Sequence, residues 1–213
     1  MQRFVITAAV AVAVLSSVTF AQQAEEGFVS LFDGTTLNGW ANIGPNKNGW
    51  AAKDGVLAWN ERGGGYIRYD KEFGDFILRL EFKVGKKSNS GIILRSKKTG
   101  IPHYTGFEVQ IYDDHGQEPN KNSSGSIYDV LTPMRSMAKP AGEWNALEIA
   151  CKGPLVKVVY NGFKVIDTDF SKLTEPIGKF KFPYSTLPLK GYIQFQDHGH
   201  PVWFRNIRIK ELK

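Results

Sequence analysis

The chain has 213 residues, 27 Lys and Arg against 21 Asp and Glu, a formal charge of +6 and a single cysteine. Its basic residues sit in small groups (Lys86-Lys87, Lys97-Lys98, Lys179 with Lys181, Arg205 with Arg208), with no basic run interleaved with aromatics, which argues against a nucleic-acid partner. Mild attraction to acidic glycans is all the charge supports, and one cysteine cannot close an internal disulfide, so the fold must rest on its core.

In chain order, Arg3 precedes an apolar run from Phe4 to Leu15, and Ser16-Ser17-Val18-Thr19-Phe20-Ala21 follows. This is the pattern of a secretory leader over residues 1–21, with the cut expected after Ala21 because Thr19 and Ala21 fill the positions that need small side chains. The run is short for a membrane span and lacks a charged stop. The mature chain, from Gln22, is therefore expected to be exported and free of a membrane anchor. About 190 residues remain, enough for one domain over 22–213.

Almost no helix is predicted. A strand is expected from Phe28 to Phe32, with turns at Asp33-Gly34 and Asn38-Gly39. Trp50 to Lys53 and Val56 to Trp59 flank Asp54-Gly55, a two-residue hairpin signal. Tyr66 to Tyr69 follows a run of glycines. In Phe76, Leu78, Leu80, Phe82 and Val84 the apolar residues alternate with Ile77, Arg79, Glu81 and Lys83, which predicts a long strand with one buried face. Phe107, Val109 and Ile111 repeat the alternation against Glu108, Gln110 and Tyr112. Trp144 to Cys151, Val156 to Tyr160 and Phe163 to Asp167 form a meander turning at Asn161-Gly162, and Cys151, at the end of an apolar strand, reads as a buried small hydrophobe. Tyr192 to Gln196 and Val202 to Ile209 close the chain. Many strands without helical crossovers predict an all-β fold, two antiparallel sheets stacked as a jelly-roll sandwich. Asp114 to Ser124 and Leu131 to Ala141 are expected as long rim loops, where specificity commonly resides. Trp144 and Trp203 are expected in the core; Trp59 and Tyr128 are candidate stacking platforms for a sugar. Asn145 and Asn206 read as bridges between backbone groups.

Three strands share one logic. Ile92 and Leu94 alternate with Ile93 and Arg95, Ile193 and Phe195 with Gln194 and Gln196, and the Phe107 strand with Glu108 and Gln110. If the three lie in one sheet with polar faces aligned, Arg95, Glu108, Gln110, Gln194 and Gln196 line a common groove. A half-solvated sheet face is the plainer alternative for any one strand. Rows rich in Gln, Arg and Tyr rather than Lys and Glu favour a ligand floor.

Several short motifs occur in order along the mature chain. They are Leu31-Phe32-Asp33-Gly34 with Leu37-Asn38-Gly39-Trp40, Asn89-Ser90-Gly91-Ile92 with Leu94-Arg95, and Phe107-Glu108-Val109-Gln110-Ile111. Gly125-Ser126-Ile127-Tyr128, Gly142-Glu143-Trp144-Asn145, Asn161-Gly162, Gln196-Asp197-His198-Gly199 and Phe204-Arg205-Asn206-Ile207 continue the series. Together they resemble the 3-keto-disaccharide hydrolase domain family, with Phe107 standing where a tyrosine is usual. The resemblance implies a concanavalin-like jelly roll, export in bacteria to the periplasm or medium, and a carbohydrate substrate: a glycoside oxidised to the ketone at sugar carbon 3.

That ketone acidifies the hydrogen on carbon 2, so a base can remove it and the oxygen on carbon 1 can leave by elimination; water then adds to the unsaturated product. The route needs one base of near-neutral pKa, an electrophile for the enolate oxygen and an acid for the leaving group. Ordinary retaining glycosidases need two carboxylates about 5 Å apart, and Gln110 stands where the second would fall on the Glu108 strand. Glu108 is the candidate base, Arg95 the candidate for the enolate or sugar hydroxyls, and His198 the titrating partner beyond a strand end. Asp197 is a candidate to orient His198 or touch substrate, and Gln110, Gln194, Gln196 and Tyr128 are candidate substrate contacts. A divalent metal ion held by Glu108 and His198, with His200 at hand, is the one cofactor the residues suggest, without any zinc-type spacing. His103 and His115 fall in loops and receive little weight. The alternative in another class is a noncatalytic glycan-binding module of the same fold.

Overall fold

A computed structural model describes residues 26–43, 49–59 and 65–213; the expected leader, its cut after Ala21 and the start at Gln22 lie outside the described residues. The described strands, in chain order, are β1 (Val29–Ser30), β2 (Trp40–Ile43), β3 (Trp50–Lys53), β4 (Val56–Trp59), β5 (Gly65–Phe73), β6 (Phe76–Val84) and β7 (Asn89–Ser96). They continue as β8 (Phe107–Tyr112), β9 (Asn145–Lys152), β10 (Leu155–Tyr160), β11 (Phe163–Asp169), β12 (Gly191–Asp197) and β13 (Val202–Glu211). Among the described residues, helix is confined to single 3₁₀ turns at Pro102–Tyr104, Phe170–Lys172 and Tyr184–Thr186. No helix among them is long and apolar enough to cross a membrane.

The period-two pattern of β6 does what it predicts. Phe76, Leu78, Leu80, Phe82 and Val84 are buried, while Ile77, Arg79, Glu81 and Lys83 are only partly covered. One sheet runs β11-β10-β9-β6-β13-β4-β3, with β1 on β13, and the other runs β2-β5-β12-β7-β8. Every described strand pair is antiparallel. The two sheets stack as a jelly-roll sandwich around one core, in which Phe107, Val109, Ile111, Ile92, Leu94 and Phe195 of the five-stranded sheet meet Leu78, Phe82, Phe204 and Ile149 of the other. Fully burying each such side chain is worth roughly 1.5–3 kcal/mol. Asp54-Gly55 and Asn161-Gly162 turn with positive φ at both positions, 52° and 79°, then 48° and 81°, as two-residue hairpins require.

Three placements differ from the sequence expectation. The opening strand shrinks to Val29–Ser30, held by β13. Trp144 and Trp203 are half-exposed, not core: both stand on the outer face of the larger sheet, with the Lys83 ammonium 5.0 and 4.7 Å from their ring centroids and the Arg205 guanidinium 4.0 Å from Trp144. Indole there covers cationic stems instead of filling the interior. Asn145 behaves as expected, its side chain accepting from Lys139 N and Asn161 Nδ2 and donating to Glu143 O. Cys151 is buried and its thiol is pushed up to about 12 by burial, against the opposing pull of Arg95. A thiol so placed is inert filler.

Strand β8 is the last of its sheet, and its outer edge is not bare. Gly125 N donates to Gln110 O at 2.8 Å, Gln110 N to Ser126 O at 3.1 Å, and Tyr128 N to Glu108 O at 3.0 Å. The 125–128 segment, part of the long passage from β8 to β9, thereby pairs with the strand that carries Glu108.

Candidate active site

The register of the three central strands sets the site. Gly91 of β7 lies between Gln110 of β8 and Gln196 of β12, and Ile93 lies between Glu108 and Gln194. Their core-facing neighbours Ile92, Val109 and Phe195 form the row between, so Glu108, Gln110, Gln194 and Gln196 share the outer face, as parity predicts. Loops roof part of that face. Asn89, His103, Glu108, Gln110, Tyr128, Lys179, Gln196 and His198 enclose a cavity of about 80 Å³.

Glu108 is 5 % exposed, and no described residue hydrogen-bonds its carboxylate. Burial raises its pKa from 4.5 to about 7, with the Lys179 ammonium pulling the other way. The side chain lies across Gly91, where a Cβ would come 1.9 Å from Oε1 and 2.7 Å from Cδ. Gly91 is therefore glycine because the acid occupies its side-chain space. Gly91→Ala should displace the carboxylate and lower turnover about a hundredfold, at a stability cost of about 1–3 kcal/mol for overpacking. In a Glu108→Gln background the same change should lose little more, since both act through one group; a full second hundredfold loss would refute this reading of Gly91.

His103 enters from the Pro102–Tyr104 turn. Its Nδ1 lies 2.7 Å from the Tyr66 hydroxyl, which accepts from Gln196 Nε2 at 3.2 Å. With Gln196 donating to it, the Tyr66 proton is free for Nδ1, which puts the proton of the neutral ring on Nε2. Burial first, then Lys179 and His198, lowers the His103 pKa from 6.5. Burial, His200 and Lys179 likewise lower that of His198. Lys179 Nζ donates to the Tyr128 hydroxyl at 3.1 Å and sits 4.4 Å from that ring's centroid, so Tyr128 holds the ammonium. The side-chain oxygens of Gln110 and Gln196 are buried without a hydrogen-bond partner among the described residues, two acceptors suited to hydroxyl donors.

Arg95 is not in this cavity. Between Ile93 and Ser96 the ladder to β12 slips, and Arg95 sits at the slip with φ 53°. Such a bulge reverses the parity of the residues beyond it. The guanidinium is 2 % exposed and donates to Gly74 O at 2.9 Å, Gly153 O at 2.6 Å and Asp75 Oδ1 at 3.3 Å, locking one end of the sandwich. Gln194 shares the polar face but is covered, its Nε2 bonded to Ser96 Oγ at 2.8 Å, and it does not reach the cavity wall. Asp197 turns to its own chain, accepting Gly199 N at 2.5 Å; that short turn carries His198. The positive charge expected from Arg95 comes instead from Lys179, which as one loop lysine among many carries no periodic signal. His103 is likewise in a loop, whereas the alternation of Tyr66, Ile67 and Arg68 in β5 could have revealed Tyr66.

Glu108 and His198, the two donors considered for a divalent ion, line the same cavity. Among the described residues, however, no group of three or more His, Cys, Asp or Glu is placed to hold a metal, and the Lys179 ammonium already acts on Glu108. This donor set does not fit a resident divalent ion.

A polar cavity with a lone buried carboxyl at its floor thus lies on one outer face of a two-sheet antiparallel jelly-roll sandwich. The sequence profile of the 3-keto-alpha-glucoside-1,2-lyase-like domain matches residues 27–210, and the chain belongs to that family. It is 29% identical, over an alignment 229 positions long that covers 88% of this chain and 79% of the relative, to a 3-keto-disaccharide hydrolase of Bacteroides thetaiotaomicron. A crystal structure of a candidate glycosyl hydrolase from Parabacteroides distasonis matches with a TM-score of 0.77 and 33% identity, covering 87% of this chain and 99% of the other. A carbohydrate-binding module of Bacillus subtilis, at TM-score 0.56 and 14% identity over 83% of this chain and 97% of its own, shares the fold alone.

Proposed function

We propose that the chain cleaves glycosides oxidised to the ketone at carbon 3, by elimination across carbons 1 and 2 followed by addition of water. The observation that carries this reading is Glu108, buried with a pKa of about 7 and the one carboxylate among the described residues lining its cavity. A lone buried acid suits a general base and does not supply the pair that oxocarbenium chemistry uses.

In this scheme Glu108 takes the carbon-2 proton, and the electrons of that bond form the enolate with its oxygen on carbon 3. The Lys179 ammonium, steadied by Tyr128, stabilises that oxygen. The enolate then collapses, a carbon 1–carbon 2 double bond forms, and the carbon 1–oxygen bond breaks. His198 gives the leaving oxygen its proton; its lowered pKa makes it the stronger acid when protonated. Water adds its oxygen to carbon 1 while a proton returns to carbon 2, so the net change is hydrolysis. The Gln196–Tyr66–His103 chain and the free oxygens of Gln110 and Gln196 hold the sugar hydroxyls.

The test is to incubate the purified protein with a 3-keto-glucoside and with its unoxidised parent. Only the ketone should react, and deuterium at carbon 2 should slow it severalfold where proton removal limits the rate. Equal rates on both sugars would return the site to oxocarbenium chemistry, and binding of both without turnover would make it a glycan-binding module.

A further inference from the structure

Lys179 reaches the Glu108 cavity from the tip of a loop that does little to hold its own shape. Ile177 and Phe182 pair across the tip as an isolated bridge, with Gly178 at φ 66° and Lys181 at φ 53° between them. The bonds inside the tip are long, 3.5 Å from Ile177 N to Phe182 O and 3.4 Å from Lys181 N to Gly178 O, beyond the usual range for N–H···O. A lysine also carries a flexible stem whose ordering costs entropy. The ammonium must therefore be aimed from outside the tip.

One anchor is aromatic. The Phe180 ring centroid lies 5.5 Å from that of His103 and 5.0 Å from that of Tyr104, and Phe182 stacks on Tyr184 at 5.5 Å. The other anchor is Asp129. Its Oδ2 accepts Lys179 N at 2.5 Å, while the Tyr128 hydroxyl accepts Lys179 Nζ at 3.1 Å, so two adjacent residues seize the lysine at both ends. Asp129 is itself fixed. It stands in the left-handed region, φ 60°, inside a turn where Val130 N and Leu131 N both donate to Ile127 O at 2.9 Å, and its own N donates to Lys121 O at 2.8 Å. Aspartate is among the few side chains that tolerate that backbone. On the loop side, a Cβ on Gly178 would lie 2.9 Å from Asp129 O and 3.0 Å from Oδ2. The tip seats directly on the acid.

Two features raise this contact above ordinary loop packing. Tyr128 N donates to Glu108 O at 3.0 Å, so consecutive residues grip the backbone of the base and then the backbone of Lys179, and together they set the spacing of the two groups. Asp129 also spends its charge on an amide. Among the described residues no carboxylate pairs with Lys179, whose charge stays available to Glu108. An acid facing the ammonium would cancel it; an acid holding the amide does not.

Resting on the reading of the Glu108 cavity as the cleavage site, we propose that Asp129 is a positioning residue, which clamps the Lys179 backbone so that the ammonium stands, with its charge intact, where the enolate charge gathers. A donor held in place beforehand costs no rearrangement as that charge develops.

The experiment follows the Glu108 carboxyl by carbon NMR titration of the intact chain with labelled glutamate, the Glu108→Gln variant identifying its signal, alongside turnover of a 3-keto-glucoside. Of the titratable groups about that carboxyl (Lys179, His103, His198, Tyr66, Tyr128 and Tyr184), Asp129→Ala releases Lys179. The Glu108 midpoint should then rise, and kcat should fall about tenfold or more with KM unchanged. Loss of the Asp129 charge by itself acts the other way, so a rise reports the displaced ammonium. Asp129→Asn keeps an oxygen for the amide bond at roughly half the strength; it should not raise the midpoint, and kcat should stay within about threefold. Gly178→Ala breaks the contact from the loop side and should reproduce Asp129→Ala without touching the 127–131 turn. In a Lys179→Met background Asp129→Ala should move neither quantity further, since both residues act through one group. A midpoint that does not rise in Asp129→Ala, or a further loss of kcat in the Lys179→Met background, would overturn the proposal. Should the native protein leave the 3-keto-glucoside untouched, the cleavage reading fails by itself, and the midpoints still decide whether Asp129 aims Lys179.

Discussion

Glu108→Gln should lower turnover of a 3-keto-glycoside about a thousandfold and, at pH 8, make the protein harder to unfold. The first effect comes from removing the cavity's carboxylate base while keeping its shape. The second comes from linkage. The folded-state pKa of Glu108 is raised from 4.5 to about 7 by burial, so between those values the folded protein keeps a proton that the unfolded chain has released. Stability contributed by this group is therefore fullest below pH 4.5, falls as pH rises to 7, and stays low above it. A shift of that size corresponds to about 3 kcal/mol, which glutamine, having nothing to ionise, recovers at pH 8 and not at pH 4. Urea denaturation of both proteins at the two pH values reads the difference directly. In the native enzyme kcat/KM should follow a bell with its maximum just below pH 7, because turnover needs Glu108 ionised and His198 protonated, and the lowered pKa of His198 lies below that of Glu108. A glutamine variant less stable than the parent at pH 8 would mean that the carboxylate is held by a cation, and would contradict the account of its pKa.

Arg95→Met should do the reverse, harming the fold and sparing the chemistry. Its guanidinium is buried and serves the carbonyls of Gly74 and Gly153; methionine fills the volume but leaves those acceptors bare. Hydrogen bonds from a charged donor and stranded buried acceptors together should cost about 3–5 kcal/mol. With an m-value of about 2 kcal/mol per molar urea, the midpoint would move down by roughly 2 M. Where the variant remains folded, kcat/KM should stay within severalfold of the parent. Lost turnover with an unchanged urea midpoint would restore Arg95 to the reacting groups.

These two residues also show how much was legible in the sequence. Alternation placed Glu108, Gln110 and Gln196 on one face because nothing interrupts the pairing of β7 with β8, or with β12 from Gln194 to Asp197, over that stretch. The same reasoning failed at Arg95, one bulge further along, because a single arginine in the left-handed region leaves no mark in the pattern of apolar residues. Gly91 did carry a signal, a residue without a side chain in the middle of a strand motif, yet its meaning depends on the acid lying across it in the neighbouring strand. Lys179 and His103 come from loops, where no period ties residue to direction. Core and sheet topology follow from local repetition; the groove's roof follows from where long loops return, which is a long-range property. The tryptophans illustrate the same limit, since Trp40 and Trp50 are core while Trp144 and Trp203 lie outside it.

The pairing of the 125–128 segment onto β8 has a consequence for solubility. A terminal strand with open amides and carbonyls is a template on which a second chain can add itself, and β8 is buried along nearly its whole length. Its partner is supplied from within, by the same stretch of chain that walls the groove. The loop that walls the groove is thus also a guard rail for this edge. A variant trimmed between Asp114 and Tyr128 to admit larger substrates would uncover the sticky edge in the same stroke, and material lost to clumping would masquerade as lost activity.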